Sequence, residues 1–294
     1  MESDRIAELK AHSVRVGSNP DLVQASGGNT SWKSDKTIWV KGSGKRLKDA
    51  LSEDIFSSIN FANLTQKEVL SCEDFSNFVS NEIAPSIEVN FHIFLESNFV
   101  THLHSLGSIA IGVSERNYEY RTQSKNVCFV SYARPGIKLI DEIINTNNYA
   151  DSTLVLQNHG VIFSGQEIME IENKIEKFET DACQFFKEIP QSDSFPNWIE
   201  ILTSGVLTPD EAVFLGKKPF VKSEEVPLNS VGINSNSELL FPEGFSSDRI
   251  ELAKFYVRVA KLIEKKTEVS YLSEKEVFEL LSWEKEQIRI AMLK

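Results

Sequence analysis

Apolar positions along this chain follow two periods, and segments of each alternate. Ile6, Leu9 and Val14 mark one face of an amphipathic helix over residues 4–16. Two short strand-like runs follow, around 31–33 and 37–40. The polar Ser34-Asp35-Lys36 joins them and predicts a hairpin. Residues 65–82 read as a helix. Pro85 then stands as the first residue of another, running to Glu96. Residues 98–104 read as a strand, 106–113 as a helix of small residues, 127–132 as a strand and 137–144 as a helix. Residues 153–163 read as two strands or one bent strand, and 166–188 as a long helix.

After Pro190 the pattern weakens, and 190–245 is rich in Pro, Ser, Gly and Asn, with strand-like pieces at 212–215 and 238–241. Two helices, 247–265 and 273–292, close the chain, and Ser273 followed by Glu276 has the form of a capping box. The expectation is an α/β domain over residues 1–190 and an extension over 191–294 packed on it. With 41% hydrophobic residues in 294, a substantial core can form.

The net charge of -12 argues against nucleic acid and against anionic membrane surfaces. Cys72, Cys128 and Cys183 are scattered, without Cys-x-x-Cys spacing, so no disulfide framework is expected and a reducing cytoplasm is the simpler setting. No segment is apolar and long enough to span a bilayer, and the N-terminus lacks the basic-then-apolar order of a signal peptide.

The histidines carry the chemistry. The chain has five, and three of them end strand-like segments. On a strand, residues i and i+2 leave the same face, so His102 and His104 point together. His159 ends the apolar run 154–158. Three imidazoles with one open position are the donor set of a catalytic zinc site. Three other motifs stand out: Gly27-Gly28-Asn29-Thr30-Ser31, Lys41-Gly42-Ser43-Gly44-Lys45 and Pro85-Ser86-Ile87-Glu88. Glycine-flanked backbone N–H groups and a helix start suit an anion. Taken singly, each motif has a plain reading as a turn, a helix start or a hydrogen-bonded histidine. A nucleotide P-loop is rejected at 39–46. Trp39 stands where its first glycine belongs, and Arg46 replaces the magnesium-binding Ser or Thr.

In order and combination, these motifs resemble the class II aldolase/adducin family over about residues 5–190. The likeness is strongest to the aldolase half of bifunctional rhamnulose-phosphate aldolase/dehydrogenases, and no Gly-x-Gly-x-x-Gly follows a strand anywhere. The resemblance implies a three-layer α/β/α fold with a central, mostly antiparallel sheet. It implies Zn2+, or another divalent ion, held by His102, His104 and His159. Glu88 would be the acid/base, and Gly28, Asn29, Ser43, Gly44 and Ser86 would take a phosphate or similar anion. It also implies a ring-shaped homotetramer with sites between subunits. Arg134 reads either as a further anion contact or as a surface arginine, His92 as a support for the site or a core residue, and His12 has no part in the pattern.

Cleaving a ketose next to its carbonyl leaves a carbanion whose charge must move to oxygen as an enediolate. A cation held by neutral imidazoles stabilises that charge, and a nearby carboxylate moves the proton. The expected reaction is therefore aldol cleavage or synthesis on a phosphorylated or otherwise anionic sugar derivative. Epimerisation, dehydration and decarboxylation of a 3-oxo acid share the intermediate and stay open. A non-catalytic module like the adducin head, or a zinc hydrolase, are the readings from other classes. The residue that protonates the leaving aldehyde is not placed: Tyr118, Tyr120, Tyr132, Tyr256 and Tyr271 are the candidates.

Overall fold

The computed structural model describes residues 2–124, 126–147, 149–151 and 153–291. The N-terminal stripe folds as α1 (Glu2–Gly17), burying Leu9, His12, Ser13 and Val16. The expected hairpin forms β1 (Asn29–Lys33) and β2 (Thr37–Lys41), with Trp32 opposite Trp39. A third strand, β3 (Phe56–Asn60), pairs with β2, Ile38 facing Ile59.

The helix expected over 65–82 is cut short. α2 (Gln66–Ser71) opens on a Thr65/Glu68 capping box and stops at Cys72. There the Asp74 carboxylate accepts from the Ser76 N–H (2.9 Å) and hydroxyl (2.6 Å), turning the chain. The next helix starts later than Pro85. α3 (Val89–Phe94) has Glu88 at its N-cap position, because the Ser86 hydroxyl accepts from the Glu88 N–H (3.2 Å) and holds 86–88 in a turn.

The chain continues through β4 (Phe99–Leu103), α4 (Leu106–Val113), α5 (Asn117–Gln123), β5 (Val127–Val130) and α6 (Ile137–Asn145). Residues 153–163 resolve into two strands, β6 (Thr153–Leu156) and β7 (Gly160–Gly165), followed by α7 (Ile168–Glu188). The later part holds α8 (Trp198–Ser204), α9 (Pro209–Leu215), β8 (Phe220–Lys222), β9 (Val231–Ile233), β10 (Leu239–Leu240), α10 (Ser247–Ile263), α11 (Glu274–Leu281) and α12 (Glu284–Ala291).

Residues 212–215, expected as a strand, belong to α9, which Thr208 caps and Pro209 opens. Every residue of α9 is buried, so no polar face betrays its helical period. The capping box at Ser273 and Glu276 forms, but the helix expected over 273–292 breaks after Leu281, and Met292 lies outside the described residues.

The described residues of 1–104, 126–156 and 161–177 make one compact unit. Its sheet has the order β3-β2-β1-β4-β7-β6-β5, antiparallel from β3 through β7 and parallel between β5 and β6. On one face Val100, Leu154, Leu156 and Ile162 pack with Phe91 of α3 and Leu139, Ile140 and Ile143 of α6. Each such fully buried side chain contributes about 1.5–3 kcal/mol. On the other face Thr101 meets the ring of α1 residue His12 (2.9 Å), whose second nitrogen reaches Glu172 of α7 (3.1 Å). Helices therefore cover both faces, the three-layer α/β/α arrangement. Lys33 adds a buried tie: its ammonium donates to the His92 and Ile93 carbonyls (2.9 and 3.1 Å) and to that of Leu95, closing the C-terminus of α3.

Residues 105–125, 157–160 and 178–294 make the second unit, apart from those not described. Ser105 caps α4, and the Glu179 carboxylate accepts from the Gly107 N–H (2.9 Å) at the same helix start. Strands β8, β9 and β10 form a small separate sheet.

Glu211 of α9 is fully buried and accepts from the Leu207 N–H. Burial pushes its carboxyl up to about 8, from an ordinary value of 4.5. A raised carboxyl favours the folded state fully below pH 4.5, and that advantage is lost as pH rises toward 8. Glu211→Gln should therefore gain stability over the parent progressively between those values. The gain is about 1.4 kcal/mol at most for each step of one in pH. Melting temperatures of both proteins across this range check it, and a pH-independent difference would contradict it.

Candidate metal centre

Strand β4 runs antiparallel to β7, with His102 opposite Ile162 and Leu103 opposite Val161. His102 shares a sheet face with Val100, and His104 follows directly after the strand. The His102 Nδ1–H donates to the Val161 carbonyl (3.0 Å), which fixes the tautomer and turns the Nε2 lone pair the other way. His104 Nε2 lies 3.0 Å from that Nε2. His159 immediately precedes β7, so the β4–β7 register carries it to the same strand end. One ring nitrogen from each of His102, His104 and His159 lies within 4.8 Å of the others, and all three residues are buried. Imidazole lone pairs turned toward one another repel unless a proton or a cation lies among them. The cluster thus fits a divalent metal of the kind that nitrogen donors favour.

Glu88 sits beside the cluster, its Oε2 3.7 Å from His102 Nε2. Asn29 Nδ2 donates to the same oxygen (2.9 Å). The amide oxygen of Asn29 accepts from the His92 ring, and the other ring nitrogen of His92 takes the Ser31 hydroxyl (2.7 Å). Asn29 and Ser31 project from one face of β1, and Asn29 lies opposite His102. His92 is one helical turn beyond Glu88, fully buried, and its burial holds it well below the ordinary imidazole range, hence neutral. The chain Ser31–His92–Asn29–Glu88 therefore has one direction. The imidazole N–H takes the amide oxygen of Asn29, so the amide nitrogen must face the carboxylate. From sequence, His92 reads as a support for the site or a core residue, and Ser31 only as part of a glycine-rich motif, with no role of its own. The signals were there, an alternating Asn-x-Ser on a strand and a Glu and a His four residues apart.

The glycine loops meet the same region. Gly28 has φ +60, and a Cβ there would lie 2.8 Å from the His102 carbonyl, so this close crossing of β1 and β4 needs glycine. The Ser43 N–H donates to the Ala84 carbonyl (3.0 Å), setting Ser43 and Gly44 beside the turn that holds Ser86 and Glu88. The buried Lys41 ammonium donates to the carbonyls of Ser26 (2.6 Å) and Lys45 (2.9 Å), tying the two glycine loops together. Lys41→Met, which keeps the stem and removes the ammonium, should leave metal content unchanged. It should free both loops, raising amide hydrogen exchange over 26–28 and 42–45 by about tenfold or more, the loss of one to two charged hydrogen bonds. Exchange like that of the parent would remove Lys41 from loop positioning.

Arg134 is half-buried between β5 and α6. Of the tyrosines, Tyr120 and Tyr256 are core residues, the Tyr256 hydroxyl meeting Thr208, while the Tyr271 hydroxyl donates to the Ile201 carbonyl (3.1 Å). Tyr118 is exposed and Tyr132 half-buried.

Residues 11–185 match the family model of the class II aldolase and adducin N-terminal domain. Over 184 residues the chain is 27% identical to Bacillus subtilis (strain 168) "oxidoreductase YuxG", a match covering 55% of this chain but only 26% of that protein. It is 25% identical over 171 residues to L-fuculose phosphate aldolase of Methanocaldococcus jannaschii, covering 54% of this chain and 84% of the relative. A shorter stretch of 117 residues is 32% identical to 3-oxo-tetronate 4-phosphate decarboxylase of Escherichia coli O6:H1, covering 35% and 55%. The solved N-terminal class II aldolase domain of a Thermoplasma acidophilum protein superposes with a TM-score of 0.52 at 27% identity, covering 61% of this chain and 92% of that one. The matched span exceeds half of the 294 residues and contains the three histidines, Glu88 and both glycine loops, so the chain belongs to the class II aldolase and adducin family.

Proposed function

We propose that this chain is a zinc-dependent aldolase that makes or breaks a carbon–carbon bond in a phosphorylated or otherwise anionic sugar derivative. The observation that carries the reading is the buried cluster of His102, His104 and His159 with the Glu88 carboxylate 3.7 Å from His102. When bound, the divalent ion supplies a Lewis acid for the negative charge that develops on the reacting oxygen. Three neutral nitrogen donors favour zinc over magnesium, which takes oxygen ligands.

The chain's own residues do the rest. Glu88 takes the proton from the substrate, or returns it, within a hydrogen-bonding frame set by Asn29 and His92. Gly28, Asn29, Ser43, Gly44 and Ser86 form the anion-binding side, with backbone N–H groups and hydroxyls near the turn before α3. Residues 1–190 act as the catalytic domain and 191–294 as an extension.

A second reading, decarboxylation of a 3-oxo acid, draws support from the 32% likeness to a decarboxylase. It needs the same stabilised carbanion. Incubating the zinc-loaded protein with ketose phosphates and with phosphorylated 3-oxo acids, and following products by 13C and 31P NMR, separates the two. An aldehyde and a shorter ketose phosphate are expected. Carbon dioxide release would favour the second reading, and no turnover of either class by the metal-loaded protein would contradict both.

The same reading includes a homotetramer in the cytoplasm, for which kinship with aldolases is the support. Light scattering should then give four times the 33.2 kDa chain mass. Among the described residues no helix is long and apolar enough to cross a membrane.

A further inference from the structure

The residue before His159 is committed elsewhere. Asn158 is buried, has φ +52, and spends its side-chain amide on two distant backbone carbonyls, those of Leu207 and Ser270, each at 2.9 Å. Its own N–H donates to the Gly112 carbonyl at the end of α4 (3.4 Å). Both acceptors sit on anchored backbone. The Leu207 N–H is taken by the buried Glu211 carboxyl, and the Ser270 N–H donates to Val113 (2.8 Å). The Leu272 N–H donates to Val206 (2.8 Å), stitching the 206–207 and 270–272 segments to each other. A left-handed conformation is unfavourable for a residue with a side chain and persists where the surroundings fix it. Here three carbonyls from three segments do so.

We infer that Asn158 is a positioning residue through which the region after α7 sets the pose of the third imidazole. It gives residues 207 and 270, which no motif explained, a part in metal binding. The inference rests on the proposed role of His159 as a ligand. Without the clamp, loop 157–160 samples other conformations, and ordering it weakens metal binding. Loss of a group that orients a ligand typically lowers metal affinity by about 10–100-fold.

The test titrates metal-free protein with Zn2+ and with Co2+, and measures amide hydrogen exchange over 157–160 without metal. Asn158→Asp keeps the size but turns a carboxylate toward two carbonyls, and Asn158→Gly keeps the backbone conformation without the amide. Either folded variant should bind Zn2+ about 10–100-fold more weakly, exchange faster at 157–160 and alter the Co2+ absorption spectrum. Asn197→Ala removes the N-cap of α8 in the same unit. It should lower the melting temperature yet bind metal like the parent. Parent-like affinity in a folded Asn158 variant overturns the inference, as does equal weakening by Asn197→Ala. His159→Ala in the same titration separates the two claims. If it binds as tightly as the parent, the ligand assignment fails and the inference falls with it. If it binds far more weakly while the Asn158 variants do not, only the inference fails.

Discussion

Protein carrying His159→Ala should be purified with close to no zinc, where the parent should hold close to one ion per chain, and the proposed aldol turnover should fall by about a thousandfold or more. His102 and His104 come from alternate positions at one strand end, and their Nε2 atoms lie 3.0 Å apart. Two such donors bind a divalent ion weakly unless a third closes the set, and on the proposed reading His159 is that third, next to β7. A cation stabilising a developing oxyanion supplies several kcal/mol, and 1.4 kcal/mol is tenfold in rate, hence the expected size. Elemental analysis and steady-state rates check it. Zinc at parental stoichiometry in the variant would show that the imidazole at 159 is not a ligand. The alanine leaves the β4–β7 ladder intact, so circular dichroism should stay that of the parent.

Glu88→Gln should behave in the opposite way toward the metal. Zinc content is expected to hold, while kcat drops by about 10²–10⁴-fold, the usual contribution of a positioned acid/base group. The substitution is isosteric, and its amide oxygen can still accept from Asn29 Nδ2, so the frame around it survives. On the proposed role, what should disappear is the ability to carry a proton to and from substrate carbon. Full turnover with zinc retained would remove Glu88 from proton transfer. Loss of zinc together with rate would make it a ligand first.

The fold was legible where a pattern is local. The helix at 106–113, the 31–40 hairpin and the Ser273/Glu276 cap follow from period, turn residues and a three-residue spacing, and all three form. Reading failed where the surroundings override the period. α9 is buried on every side, so its residues look like a strand, and Asp74 and Ser86 divert their own backbone from helix into turns. The site divides the same way. His102 and His104 share a strand end by sequence arithmetic alone. His159 reaches them only through the register of β7 against β4, a pairing that no local signal fixes. The Ser31–His92–Asn29–Glu88 chain is further out of reach, since it needs β1 and α3 to meet face to face. The clamp on Asn158 joins residues 49 and 112 positions apart, beyond any pattern along the chain.

All of this turns on three imidazoles gathering around one ion. The most direct measurement is anomalous diffraction at the zinc edge from crystals of the parent protein grown with Zn2+. The account requires a single strong peak per chain, about 2.0–2.1 Å from a ring nitrogen of each of His102, His104 and His159. A peak that lacks His159 as a neighbour, or density showing those rings with no ion among them at saturating zinc, would contradict it.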